Sequence, residues 1–107
     1  MSDEQQDQDQ RGGLQLEEAK PELKQPKMFQ VIILNDDFTP MEFVVHVLEH
    51  FFALDHEKAT RIMLNVHHNG KGVCGTYTRD IAETKMVSVN EYSRTNEHPL
   101  LCTIEEA

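Results

Sequence analysis

The sequence lacks three features, and each absence excludes a class of protein. It has only two cysteines, Cys74 and Cys102, and no CxxC motif, which excludes a disulfide framework and a four-cysteine zinc site. Its 19 acidic residues outnumber its 10 basic ones, for a net charge of -9, whereas nucleic-acid phosphates require a basic surface. The apolar run at 31–34 is far shorter than the roughly 20 residues of a transmembrane helix. We therefore expect a chain that binds neither nucleic acid nor membrane.

The first quarter of the chain differs sharply in composition from the rest. Residues 1–26 are acidic and rich in Gln, contain Gly12-Gly13 and two prolines, and hold few large aliphatic residues. Such a segment buries too little apolar surface to offset the entropy of ordering it. We predict a disordered extension over 1–26 and one folded domain over 27–107. The acidic start resembles neither a signal nor a transit peptide, so we expect a cytoplasmic protein with reduced thiols.

The folded part alternates between strand and helix patterns. β-Branched residues at 28–34 and an alternating segment at 71–78 predict strands, as does the end of the chain from Leu100 to Glu105. Helical periodicity extends to about residue 53 in the first helix, continues in a second helix after Asp55, and occupies 79–95 in a third. Gly70 is suited to a left-handed cap at the end of the second helix. The order βααβαβ predicts a small two-layer α+β domain with a three-stranded, mainly antiparallel sheet.

The start of the first helix carries a specific signal. Thr39 is predicted as the N-cap and Pro40 as the first helical residue, and Glu42 at the third helical position completes a capping box. Immediately before it, Asn35, Asp36 and Asp37 form an acceptor-rich turn. Acceptors in a turn suit a cation better than a phosphate, although such turns also commonly serve only the backbone.

The remaining motifs carry little catalytic chemistry. His67 lies on the apolar face of the second helix with Met63 and Val66, where a single histidine is usually structural. The histidines include no H-E-x-x-H motif, and adjacent residues such as His67 and His68 point about 100° apart on a helix. The two cysteines lie on predicted strands and are read as inert packing residues. We expect no catalytic residues, no metal and no cofactor.

Five ordered motifs resemble the ClpS adaptor family. They are VIILNDDFTPMEFV at 31–44, MLNVHHNG at 63–70, CGTYT at 74–78, AETK at 82–85 and NEHPLLCT at 96–103. The resemblance covers 27–107 and leaves 1–26 without a match. It implies an adaptor that binds the free N-terminal residue of N-degron substrates, with Leu, Phe, Tyr or Trp first. It further implies that this adaptor is a monomer that delivers those substrates to the AAA+ unfoldase ClpA of the ClpAP protease.

The resemblance also implies roles for particular residues. Binding of the substrate's α-amine is implied for Asn35, Asp36, Asp37 and His67. A hydrophobic pocket for the first side chain is implied for Leu34, Thr39, Met41, Val44, Met63, Val66 and Leu100. Contact with the unfoldase is implied for Asp80 and Lys85, although Glu is the more familiar residue at the position of Asp80.

Two other functions are compatible with the residues alone. A small metal-dependent hydrolase would use Asp36, Asp37 and His67, and a generic protein-interaction domain would be indifferent to the first residue of a peptide. The adaptor hypothesis accounts for more of the pattern, because an ammonium group needs acceptors while an apolar side chain needs a dry pocket.

Overall fold

A computed structural model describes residues 26–107, and these contain three strands and three helices. The strands are β1 (Met28–Leu34), β2 (Lys71–Thr78) and β3 (Leu101–Glu106), and the helices are α1 (Met41–Phe52), α2 (His56–Asn69) and α3 (Arg79–Thr95). The sheet order is β2-β1-β3, and both pairs are antiparallel. The predicted α+β fold, element order and antiparallel sheet are confirmed. The predicted extension 1–26 lies outside the described residues, apart from Pro26.

The central strand β1 anchors the core. Val31 and Ile33 are fully buried and belong to one cluster with Val47 and Leu48 of α1 and Val89 of α3. Val31 and Ile33 are two residues apart, the spacing of one strand face, and the buried residues at 44, 48 and 52 of α1 are four apart, the spacing of one helix face. Each element therefore presents one face to the same interior.

Two helix boundaries follow from local chemistry that the sequence indicated. The Asp55 carboxylate accepts a hydrogen bond from the backbone N of Lys58 at 2.8 Å, which confirms it as the N-cap of α2. Gly70 ends α2 with φ 91°, a conformation that glycine adopts without steric cost. Its amide donates to the carbonyl of Val66 at 2.9 Å.

The predicted start of α1 and both predicted ends of β3 are wrong by one residue. Pro40, with ψ 145°, occupies the N-cap position of α1 and no side-chain cap bond forms there. The predicted capping box of Thr39 and Glu42 does not form, because α1 begins one residue later than predicted; the Thr39 hydroxyl belongs to the preceding turn, where it donates to Asp36. At the other end of the chain, the ladder with β1 begins at Leu101, and Leu100 is buried just before it.

Candidate functional site

The turn between β1 and α1 is built around the carboxylate of Asp36. Its Oδ1 accepts from the backbone N of Phe38 at 2.8 Å and of Thr39 at 2.7 Å, while its Oδ2 accepts from the Thr39 hydroxyl at 2.9 Å. Partial burial alone raises the pKa of Asp36, but these hydrogen bonds and the nearby His98 outweigh it and lower the pKa below its ordinary value. Asp36 is therefore a charged acceptor whose hydrogen-bonding capacity is largely used within the turn.

One backbone hydrogen bond joins this turn to the end of α2. The amide of Asn35 donates to the carbonyl of Gly70 at 2.9 Å. His67 lies one turn before Gly70 on the same helix. Residues more than 30 positions apart in the sequence, Asn35 and His67, are thus held at the rim of one cavity.

The cavity has a volume of about 330 Å³. Its lining residues are Leu34, Asn35, Asp36, Asp37, Phe38, Thr39, Pro40, Met41, Val44, Met63, Val66, His67 and Leu100. The structure thereby brings together every residue assigned to the amine-binding and hydrophobic sets. Phe38 and Pro40 were not among them, since neither residue type in a turn signals a binding role by itself.

The cavity is apolar at its base and polar at its rim. Val44, Met63, Val66 and Leu100 are all buried, whereas Met41 is 45% exposed and Phe38 is 81% exposed. Asn35, Asp37 and His67 are exposed. The arrangement suits a ligand that has an apolar side chain next to a cationic hydrogen-bond donor, because each part meets a matching environment.

A glycine of the sheet stands directly behind this apolar base. A Cβ atom placed on Gly72 would lie 2.7 Å from Cγ2 of Val66, which is closer than any ordinary contact. Gly72 is buried and pairs with Ile33 in the sheet. The missing side chain therefore lets α2 lie close against β2 and sets how far Val66 reaches into the cavity.

The other candidate residues lie elsewhere. Asp80 is exposed in the first turn of α3, and the half-buried Lys85 lies one turn further along the same helix. Cys74 and Cys102 are free and buried. Burial strongly raises the pKa of Cys74, with a further contribution from Cys102, and it raises the pKa of Cys102 to about 12. Both thiols thus stay protonated, as expected for packing residues.

Two general properties bear on the class of protein. Within residues 26–107, no group of three or more His, Cys, Asp or Glu side chains is arranged to hold a metal ion. No helix in the same range is long and apolar enough to span a bilayer. A small domain whose apolar cavity lies beside acceptor groups has the architecture of a ligand-binding module.

Comparison with known proteins identifies the family. Residues 24–103 match the family model of the ATP-dependent Clp protease adaptor protein ClpS. Relatives named ATP-dependent Clp protease adapter protein ClpS occur in Methylococcus capsulatus, at 60% identity, and in Alkalilimnicola ehrlichii, at 59% identity. Each alignment covers 89% of this chain and 90% of the relative. The chain belongs to the ClpS family of Clp protease adaptors.

A solved structure shows the same fold. Agrobacterium tumefaciens ClpS2, whose structure contains bound L-phenylalaninamide, is 37% identical and superimposes with a TM-score of 0.76. The match covers 78% of this chain and the whole of that one. The ligand of that relative carries a free α-amine and an aromatic side chain.

Proposed function

We propose that the cavity between the β1–α1 turn and α2 binds the free N-terminal residue of N-degron substrates whose first side chain is Leu, Phe, Tyr or Trp. The observation that carries this proposal is the juxtaposition of the exposed acceptors Asn35, Asp37 and His67 with a buried apolar base. The phenylalaninamide bound by the Agrobacterium tumefaciens relative has the same two features. The protein would then deliver such substrates to the Clp protease.

The two halves of the site would act together. Burying one Leu or Phe side chain contributes roughly 1.5 to 3 kcal/mol, and each hydrogen bond to a charged amine contributes roughly 1.5 to 3 kcal/mol. Neither term alone exceeds the cost of association. The site therefore requires a free amine and an apolar side chain on the same residue, which restricts binding to the ends of chains.

Within this proposal the two carboxylates have different roles. Asp36 accepts three hydrogen bonds from its own turn and so shapes the loop that presents Asn35. The exposed Asp37 supplies negative charge near the incoming ammonium. The ammonium donates hydrogen bonds to Asn35 and His67. The first side chain of the substrate is surrounded by the residues of the hydrophobic set, which are Leu34, Thr39, Met41, Val44, Met63, Val66 and Leu100.

We further propose that the Clp partner is the N-domain of the ClpA unfoldase and that the protein acts there as a cytoplasmic monomer without catalytic turnover. Asp80 and Lys85 on α3 lie outside the cavity. The surface proposed for the unfoldase is thus separate from the surface proposed for the substrate, which would let both bind at once.

A peptide-binding titration tests the substrate proposal. A Leu-starting peptide should bind, and acetylation of its α-amine should remove most of the affinity because the charge and two donors are lost. Asn35→Ala and His67→Ala should each weaken binding by about 1 to 3 kcal/mol. The exposed neighbours Asn65→Ala and His68→Ala are matched controls. Equal binding of acetylated and free peptides would overturn the assignment, and peptide cleavage or chelator sensitivity would favour a metal-dependent hydrolase instead.

A further inference from the structure

One large apolar side chain at the mouth of the cavity is almost entirely exposed. Phe38 is 81% exposed, more than any other large hydrophobic residue within 26–107, and it also lines the cavity. Single apolar residues on a protein surface are common and need no explanation. Phe38 is not single, because the exposed residues Pro40 and Met41 line the same mouth. The β1–α1 turn therefore carries an apolar edge, which consists of Phe38, Pro40 and Met41.

Two hydrogen bonds hold the backbone from which the Phe38 ring projects. The amide of Phe38 donates to Oδ1 of Asp36 at 2.8 Å, and the amide of Thr39 donates to the same oxygen at 2.7 Å. A phenylalanine side chain has only two rotatable bonds, so it loses little conformational entropy when a ligand covers it. An aromatic ring on a turn of fixed backbone is thus suited to contact a ligand, because pre-organisation lowers the cost of binding.

The place of Phe38 along the mouth determines which part of a substrate it can reach. Phe38 directly follows Asp37, and consecutive Cα atoms are about 3.8 Å apart. In the proposed function the α-amine lies at Asn35, Asp37 and His67, while the first side chain fills the buried base. The second substrate residue is also about 3.8 Å from the first, and it has to leave across the mouth because the base is filled. Its side chain therefore comes within reach of the apolar edge.

We propose that Phe38 is a specificity-determining residue that contacts the second residue of the substrate and favours an aromatic side chain there. This inference rests on the proposed function and extends it from the first substrate residue to the second. The expected effect on the dissociation constant is roughly 2- to 12-fold, the range for one aromatic contact. The neighbouring carboxylate of Asp37 would instead favour a basic second residue, so the test has to separate the two preferences.

Titration of the full chain with three peptides tests the proposal. The peptides begin Leu-Ala, Leu-Phe and Leu-Arg, carry a free α-amine and are otherwise identical. The unsubstituted protein should bind the Leu-Phe peptide roughly 2- to 12-fold more tightly than the Leu-Ala peptide. Phe38→Ala should remove this difference, whereas Phe38→Tyr should retain it because the ring is kept. Leu64→Ala is the matched control, since Leu64 is a 41% exposed apolar residue of α2 outside the cavity.

The possible outcomes separate this inference from the proposed function. Equal dissociation constants for the Leu-Ala and Leu-Phe peptides, or a difference that persists in Phe38→Ala, would overturn the role of Phe38. A preference for the Leu-Arg peptide that is lost in Asp37→Asn but kept in Phe38→Ala would also overturn it and assign the second residue to the carboxylate. Failure of the proposed function gives a different result, because acetylated and free Leu-Ala peptides would then bind equally.

Discussion

The ammonium of Lys85 donates to the backbone carbonyl of Phe51 across 2.8 Å and thereby joins α3 to the C-terminal end of α1. The same ammonium lies 5.7 Å from the ring centroid of Phe52 and 5.4 Å from that of Tyr77. The last carbonyls of a helix have no partner within the helix and carry the negative end of its dipole. A cation at this point satisfies one of them, so Lys85 is engaged inside the fold as well as proposed for the unfoldase surface.

Substitution of Lys85 should therefore lower stability. We expect Lys85→Ala to reduce the free energy of unfolding by about 1.5 to 3 kcal/mol, because a charge-assisted hydrogen bond is lost in a half-buried setting. Lys71→Ala is the control, since Lys71 forms only an exposed pair with Glu105 at 3.4 Å and should cost below about 1 kcal/mol. Denaturant titration measures both. If Lys85→Ala and Lys71→Ala lower stability by equally small amounts, the bond to Phe51 does not contribute to stability.

The low pKa of Asp36 predicts an acid-sensitive contribution to stability. The folded protein holds this carboxylate as an anion more firmly than the unfolded chain does, so the stabilisation is present above the ordinary pKa of about 3.9 and is lost as the pH falls through the lower folded value. Asp36→Asn should be less stable than the unsubstituted protein at pH 7, and the difference should shrink below about pH 4. Parallel curves for Asp36→Asn and the unsubstituted protein across this range would contradict the prediction.

Met41 should control which side chains enter the cavity. It is 45% exposed and lies at the mouth, above the buried Val44 and Met63. If it crowds the Cβ of the first substrate residue, Ile and Val are excluded, and relief of that overpacking is worth about 1 to 3 kcal/mol. Met41→Ala should then admit Ile- and Val-starting peptides while weakening Leu only mildly. Dissociation constants for the Leu-, Ile- and Val-starting peptides measure this effect. Met28→Ala, at a similarly exposed position, is the control. If Met41→Ala still rejects the Ile- and Val-starting peptides, the residue that excludes them is Met63 or Leu100.

The segment before the fold should matter for delivery and not for binding. Removing residues 1–23 leaves every lining residue of the cavity in place, so peptide affinity and unfoldase binding should be unchanged. A fully extended segment of 26 residues reaches roughly 85 to 95 Å, which is long enough to enter an unfoldase pore while the domain stays docked outside. Degradation of a Leu-starting reporter by the reconstituted unfoldase and peptidase should therefore be lost.

An unrelated polar segment of equal length provides the matched control for that truncation. It should restore much of the degradation, because length and not sequence is proposed to act. Normal delivery by the truncated chain would show that residues 1–23 have no part in it.

Periodicity and capping residues predicted most of the fold, and the start of α1 shows why one boundary was missed. The caps at Asp55 and Gly70 were predicted correctly because each depends on its own short segment. The cap at Thr39 was wrong because Thr39 belongs to the turn organised by Asp36, and α1 begins only after Pro40. A local pattern shows that Thr39 can cap a helix, but it does not show at which residue the turn ends and the helix begins.

The same distinction applies to the site. The acceptor turn and the apolar stripe of α2 were visible separately, but the bond between Asn35 and Gly70 that joins their ends is a tertiary contact. Lys85 is a second contact that the sequence alone does not predict. Its sequence position suggests a surface residue on α3, and only the packing of α1 reveals the carbonyl that it meets.

Because Gly72 of the sheet lies so close to Val66, the packing of α2 against the sheet determines the dimensions of the proposed substrate cavity. A single methyl group added on β2, as in Gly72→Ala, would push the helix or its valine toward the ligand without altering any residue that touches it. We therefore expect the distance between β2 and α2 to affect the selectivity between narrow and broad first residues. Mutagenesis that varies only the lining residues would therefore omit Gly72, the position behind the cavity that sets this spacing.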